Sequence, residues 1–168
     1  MEATGAGAYC PGMAIRSAVI LSPHLDDAVL SCWHLLRGPH EVQVVTVFAG
    51  TPPPGSGTSW WDQLTGAEDS VTRMAERRAE DAEAFAIAGR TSVHLDFLDG
   101  QYGPTGQTVE AIVARVHEVV DPGAEVYVPA ALGDHADHEQ VRSVGLALAA
   151  AGRTVHLYAD HPHGVRRG

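Results

Sequence analysis

Two short clusters carry the side chains most able to do chemistry: Pro23-His24-Leu25-Asp26-Asp27 and Gly133-Asp134-His135-Ala136-Asp137-His138. Both combine imidazole with carboxylate, the donors that zinc accepts. A catalytic zinc keeps three protein ligands and leaves the fourth position to water. Two histidines and one carboxylate drawn from these clusters meet that need. Asp26 and Asp27 are adjacent, so their side chains point in different directions; one can hold a metal while the other faces the bound water. Hydrolysis requires that division, because a metal lowers the pKa of water toward about 7 and polarises a carbonyl while a neighbouring carboxylate takes the proton and later returns it. A carboxylate is also expected behind a site histidine, and Asp137 is a candidate. Plainer readings exist. A His followed three residues later by Asp arises often by chance, and Asp26 suits the N-cap of a helix starting near Asp27. Two clusters, each directly after a predicted strand, favour the metal.

The elements that must position these residues alternate along the chain. Ser17 to Ser22 is an apolar run ending at Pro23, which suits a buried strand. The spacing of Val29, Leu30, Trp33 and Leu36 predicts a helix from Asp27 to about Leu36, stopped by Gly38-Pro39. Further strands are predicted over Val42 to Phe48, Ser92 to Leu98, Glu125 to Ala130 and Thr154 to Tyr158, and further helices over Val71 to Ala88, Thr108 to Val120 and Glu139 to Ala150. Gly89 stands in the C-cap position of the second helix. Gly50 to Ser70, with Pro52, Pro53, Pro54 and Trp60-Trp61, has no periodicity and reads as a functional loop or lid. The alternation predicts an α/β fold, a Rossmann-like three-layer sandwich around a mostly parallel sheet of about five strands, with the ligand site beyond the strands' carboxyl ends. Both clusters fall there.

A length of 168 residues with 45 % hydrophobic residues supports one core. We expect a flexible segment over residues 1–13 and a single hydrolase domain over 14–168. The net charge of -10 excludes a nucleic-acid or anionic-membrane partner, since both need clustered cations. No apolar run approaches membrane-spanning length and no secretory signal precedes the domain. Cys10 and Cys32 imply no disulfide framework, so a reducing cytoplasm fits.

The two clusters resemble the motifs of the PIG-L/LmbE-like family of N-acetylglucosaminide deacetylases, P-H-x-D-D and H-x-D-H, and the resemblance runs from about Ser17 to Tyr158. It implies a zinc-dependent amide hydrolase that removes N-acetyl or related N-acyl groups from an amino sugar or small glycoside. Under it, His24, Asp27 and His138 correspond to the metal ligands, Asp26 to the general base and acid, His135 to the imidazole that stabilises the oxyanion, and Asp137 to the residue that orients His135. Arg77, within Arg77-Arg78-Ala79-Glu80-Asp81, resembles the family's R-x-x-E helix near the substrate, and Asp99 falls where a sugar-contacting carboxylate is common. On spacing alone Arg77 and Arg78 are members of a solvated helix face. The same ligands suit Fe2+ as well as Zn2+.

Leu25, Ala28 and Gly133 depart from the family pattern, Gly133 standing where some members carry a Tyr that assists the oxyanion. The chain stops soon after Tyr158-Ala159-Asp160-His161, which leaves the pocket open or closed by a second copy in a homo-oligomer. Trp60 and Trp61 either tuck onto the core or stack on a sugar ring. His161 and His163 are assigned nothing. The alternative functions are a non-catalytic metal- or sugar-binding homologue, which has no chemical need for both Asp26 and His135, and a metal-dependent phosphoesterase, which wants more carboxylates or several cations.

Overall fold

The computed structural model of the chain describes residues 17–103 and 106–161. The expected flexible segment 1–13, Cys10 and His163 lie outside the described residues.

Five parallel strands form one sheet: β1 (Ser17–Ser22), β2 (Glu41–Thr46), β3 (Ser92–His94), β4 (Glu125–Pro129) and β5 (Val155–Tyr158), in the order β3-β2-β1-β4-β5. The helices are α1 (Asp27–Leu36), α2 (Trp60–Leu64), α3 (Ser70–Ala88), α4 (Val109–Val119) and α5 (Ala136–Ala150). Successive residues of β1 point to opposite faces. Ala18 and Ile20 pack with Val44, Cys32, Leu36 and Phe85 under α1 and α3, and Val19 and Leu21 pack with Val126, Ile112, Val116 and Val144 under α4 and α5. Helices cover both faces, which is why β1 reads as a continuous apolar run rather than an alternating one. The α/β sandwich expected from the alternation is the observed fold.

Helix α3 begins where Asp69 accepts the Thr72 N–H, and α4 where Thr108 accepts that of Ala111. Gly89 closes α3 at φ 69°, a left-handed cap that a side chain adopts only with strain.

Three expectations need correction. The strand predicted over Ser92 to Leu98 pairs only from Ser92 to His94, because β2 ends at Thr46 and the chain then forms a single antiparallel bridge, Phe48 to Asp96. The Gly50 to Ser70 stretch is not structureless: Ser59 caps the five-residue helix α2 by accepting the Asp62 N–H, a helix too short for periodicity to reveal. Helix α5 begins at Ala136 rather than Glu139, so Asp137 and His138 stand in its first turn.

The sheet order decides where the site lies. From β1 the chain builds outward to β2 and β3 on one side; β4 returns to the other flank of β1, and β5 follows it. The direction reverses between β1 and β4, and the crevice beyond their carboxyl ends is where such sheets bind ligands. The His24 to Asp27 segment follows β1 and the Asp134 to His138 segment follows β4.

Candidate metal centre

The turn after β1 is tied down on both sides. Val47 N–H donates to the Ser22 carbonyl at 2.8 Å and Phe48 N–H to that of Pro23 at 2.9 Å, extending the ladder beyond the strands. Ser22 Oγ donates to the His24 carbonyl at 2.8 Å and accepts the Ala28 N–H at 3.1 Å. Asp27 Oδ2 accepts the His24 N–H at 2.9 Å, so the turn fixes its own carboxylate.

His24 Nδ1 stands 3.3 Å from Asp27 Oδ2, and His138 Nε2 stands 3.3 Å from the same oxygen. The other nitrogen of each ring is held by a carboxylate: His24 Nε2 by Asp137 Oδ2 at 2.9 Å, His138 Nδ1 by Asp160 Oδ2 at 2.9 Å. With those nitrogens engaged, the remaining ones are aimed at Asp27. This is how carboxylates set the tautomer and direction of metal-binding histidines. His135, at the N-cap of α5, completes a cluster of rings, its centroid 4.9 Å from that of His24 and 5.0 Å from that of His138.

The donor set fits a divalent ion. A tetrahedral ion with ligands at about 2.0–2.2 Å spaces those ligands roughly 3.4 Å apart, and both nitrogen-to-Asp27 distances match. His24, Asp27 and His138 offer ligand atoms within 4.8 Å of one another, as do His24, His135 and Asp137. In the second group the His24 nitrogen nearest the carboxylate is already bonded to it, so the first group is the better cradle. Charge argues the same way. Asp27, Asp99, Asp137 and Asp160 are all buried around these rings, and buried anions require cationic partners. Burial opposes protonation of His24, yet its hydrogen bonds to Asp137 and Asp27 outweigh that and push its pKa up to about 10. Burial likewise disfavours the Asp27 carboxylate, but hydrogen bonds from His138 and His24 hold it well below the usual carboxylate range. The centre is built to contain positive charge.

Asp26 is held differently. Its φ of 88° lies in the left-handed region, and its side chain makes no cap hydrogen bond to α1, so the N-cap reading of this carboxyl does not hold. Burial, reinforced by the Asp27 charge, raises its pKa to about 6, while Arg77 pulls the other way. Asp26 and Arg77 line one cavity of about 210 Å³ between α1 and α3, walled by Leu25, Val29, Leu30 and Ala84.

The remaining expected residues are placed as follows. Asp137 bonds to His24 and accepts the Gly100 N–H at 3.0 Å, and its carboxylate shares one potential ligand group with His135. Asp99 lies 3.9 Å from His24 Nε2 and binds Gln101 through both oxygens, which ties the turn after β3 to the centre. Arg78 reaches outward to exposed Asp96. Trp60 and Trp61 are not tucked onto the core; they are 73 % and 47 % exposed, with ring centroids 6.1 Å apart. Sequence reasoning missed Asp160, whose one signal was its place just after β5 at the same edge of the sheet. It also missed buried Asp62, which accepts from Ser70 Oγ and Tyr102 Oη and fastens α2 to the loop after β3.

A parallel sheet with imidazole and carboxylate converging at its switch point places the chain in the class of Rossmann-like α/β proteins with a candidate metal site there. Within that class the chain belongs to the PIG-L family, described as GlcNAc-PI de-N-acetylase, whose model matches residues 19–149. It is an N-deacetylase of that family. The 2'-N-acetylparomamine deacetylase of Niallia circulans is 27 % identical over 187 residues, covering 88 % of this chain and 68 % of its own. A deacetylase triple mutant from the teicoplanin biosynthetic pathway superposes with a TM-score of 0.78 at 32 % identity, over 91 % of this chain and 67 % of that one. The zinc-inhibited form of teicoplanin deacetylase Orf2 superposes with a TM-score of 0.72 at 28 % identity, over 89 % and 70 %.

Proposed function

We propose that the chain hydrolyses the N-acyl group, acetyl in the simplest case, of an amino sugar carried by a small glycoside, with a divalent ion held by His24, Asp27 and His138. The observation that supports this most is the pair of imidazole nitrogens facing one Asp27 oxygen at 3.3 Å each, with a carboxylate fixing the far side of each ring. An ion bound there supplies Lewis acidity, activating water and polarising the amide carbonyl. Asp26, outside the ligand set, takes the proton of the attacking water and delivers it to the departing amine nitrogen; a carboxyl with its pKa near 6 is suited to both transfers. His135 faces the same centre and donates to the amide oxygen as that oxygen gains charge. Asp137 keeps His24 aimed and Asp160 does the same for His138.

Arg77, which lines a cavity with Asp26, and Asp99, 3.9 Å from His24 Nε2, are the proposed substrate contacts, and exposed Trp60 and Trp61 are the surface on which a sugar ring stacks. Relatives that act on acetylparomamine and in teicoplanin biosynthesis support a glycoside as the substrate class. Zinc is the ion proposed, with Fe2+ as its competitor; a zinc-inhibited relative makes excess zinc a condition to vary. We read residues 14–168 as one hydrolase domain. The test is metal analysis with acetate release from a panel of N-acetylated amino sugars and glycosides, before and after chelation. About one ion per chain and chelator-sensitive release are expected. Failure to take up any divalent ion on reconstitution overturns the reading.

A further inference from the structure

We propose that Asp81 is a positioning residue for Asp26, holding the backbone of that residue in its left-handed turn from behind, while Ser92 and His94 hold Asp81. The inference rests on the reading of Asp26 as the group that moves the proton. A residue with a side chain keeps φ near 88° only where its surroundings hold it there. The Asp26 carboxyl does not do this itself, since it makes no cap hydrogen bond. The contact that fixes the amide comes from α3: Asp26 N–H donates to Asp81 Oδ1 at 3.2 Å, across 55 residues of chain.

Asp81 is itself locked. It is 3 % exposed, and its other oxygen, Oδ2, bonds His94 Nε2 at 2.7 Å and accepts from Ser92 Oγ at 2.9 Å. Ser92, His94 and Asp81 are not a nucleophilic triad, because Ser92 Oγ and Asp81 Oδ2 meet the same ring nitrogen and no proton can pass through the imidazole from one to the other. The group is an anchor. It joins α3 to edge strand β3 and presents one carboxylate oxygen to the turn that carries Asp26. Arg77 stands one turn earlier on α3 and faces the cavity that Asp26 also lines, so one helix sets both the backbone and the electrostatic surroundings of that carboxyl. Without the Asp81 contact the backbone at Asp26 is free to leave φ 88°, which displaces the carboxyl it carries.

The experiment compares Asp81→Ala, Asp81→Asn, Asp26→Asn and the double variant Asp26→Asn/Asp81→Ala. It measures kcat and KM for acetate release from phenyl N-acetyl-β-glucosaminide, bound metal, and amide hydrogen exchange at residue 26. Asp81→Ala is expected to lower kcat about 10²-fold with KM within about threefold, as misplacement by about 1 Å does. Bound metal stays at the wild-type level, and exchange at Asp26 speeds up by at least about tenfold. Asp81→Asn keeps a carbonyl oxygen for the Asp26 N–H and restores most of kcat. On the Asp26→Asn background the loss of Asp81 costs no further activity.

Wild-type kcat in Asp81→Ala, with Asp26→Asn inactive, overturns this inference alone. An equal loss on both backgrounds, or a loss that follows metal content, makes Asp81 a structural anchor only and also overturns it. Full activity in Asp26→Asn overturns the proton-transfer reading and this inference with it. Should Asp81→Ala fail to fold, His94→Ala carries the test. Faster exchange at Asp26 together with lower kcat supports the inference, and both at wild-type values overturn it.

Discussion

At the residue scale the centre divides labour between neighbours. Asp26 and Asp27 are adjacent, yet Asp27 is fixed by the His24 N–H and faces two imidazoles, while Asp26 sits at positive φ with its carboxyl free of α1. Substitution should separate them. Asp26→Ala is expected to lower kcat by about 10²–10⁴-fold, the usual contribution of a general base, with metal retained. Asp27→Ala should instead lose the ion, and metal analysis of the two purified variants shows at once whether the roles have been exchanged. Asp160→Asn touches neither ion nor substrate in this reading. It leaves His138 Nδ1 with a weaker partner and should weaken metal affinity by about 10–100-fold, read by competition with a chelating dye. Unchanged affinity would show that packing alone aims His138.

At the element scale, α5 must lie close to β4 for His138 to reach across the switch point to Asp27. Gly145 permits that approach, since a Cβ there would meet Val128 Cγ2 at 2.5 Å. Val128 is fully buried and stiff at χ1, so it cannot move aside easily. Gly145→Ala should destabilise the fold by about 1–3 kcal/mol, with Val128→Ala restoring part of the loss, as a pair of urea titrations would show. The motif residues and their placement after β1 and β4 were legible because metal ligands are few in type and strands β1 and β4 are strongly apolar. The start of α5 was not, because Ala136, Asp137 and His138 carry no apolar periodicity and their helical state depends on the packing of Val141, Val144 and Leu148 below them. Nor were the partners of Asp137 and Asp81 legible, since a carboxylate 113 residues from His24, or 55 from Asp26, gives no local signal. The early end of β3 has the same origin: Ser92 to Leu98 alternates well, but the neighbour it needs has already turned away.

At the scale of the whole molecule, the buried carboxylates around the His24 and His138 rings come from four separate places: Asp27 after β1, Asp99 after β3, Asp137 in the first turn of α5 and Asp160 after β5. An ion at this point ties together crossovers from both sides of the switch point, and it neutralises anions that otherwise repel one another inside the protein. Metal should therefore support the fold as well as the reaction. A ligand that binds only the native state stabilises by about 2.7 kcal/mol when present at 100 times its Kd. For a chain of this size that corresponds to a rise of roughly 5–10 °C in Tm. Thermal unfolding in chelator and in a small excess of Zn2+ checks this, with two controls that make the result specific. Asp26→Asn keeps the ligand set and should show the full shift, whereas Asp27→Ala should show none. Equal Tm with and without metal in the wild-type chain would mean that protons on His24 and His138 already balance the carboxylates, and that the cluster is a self-contained ion network rather than a metal centre.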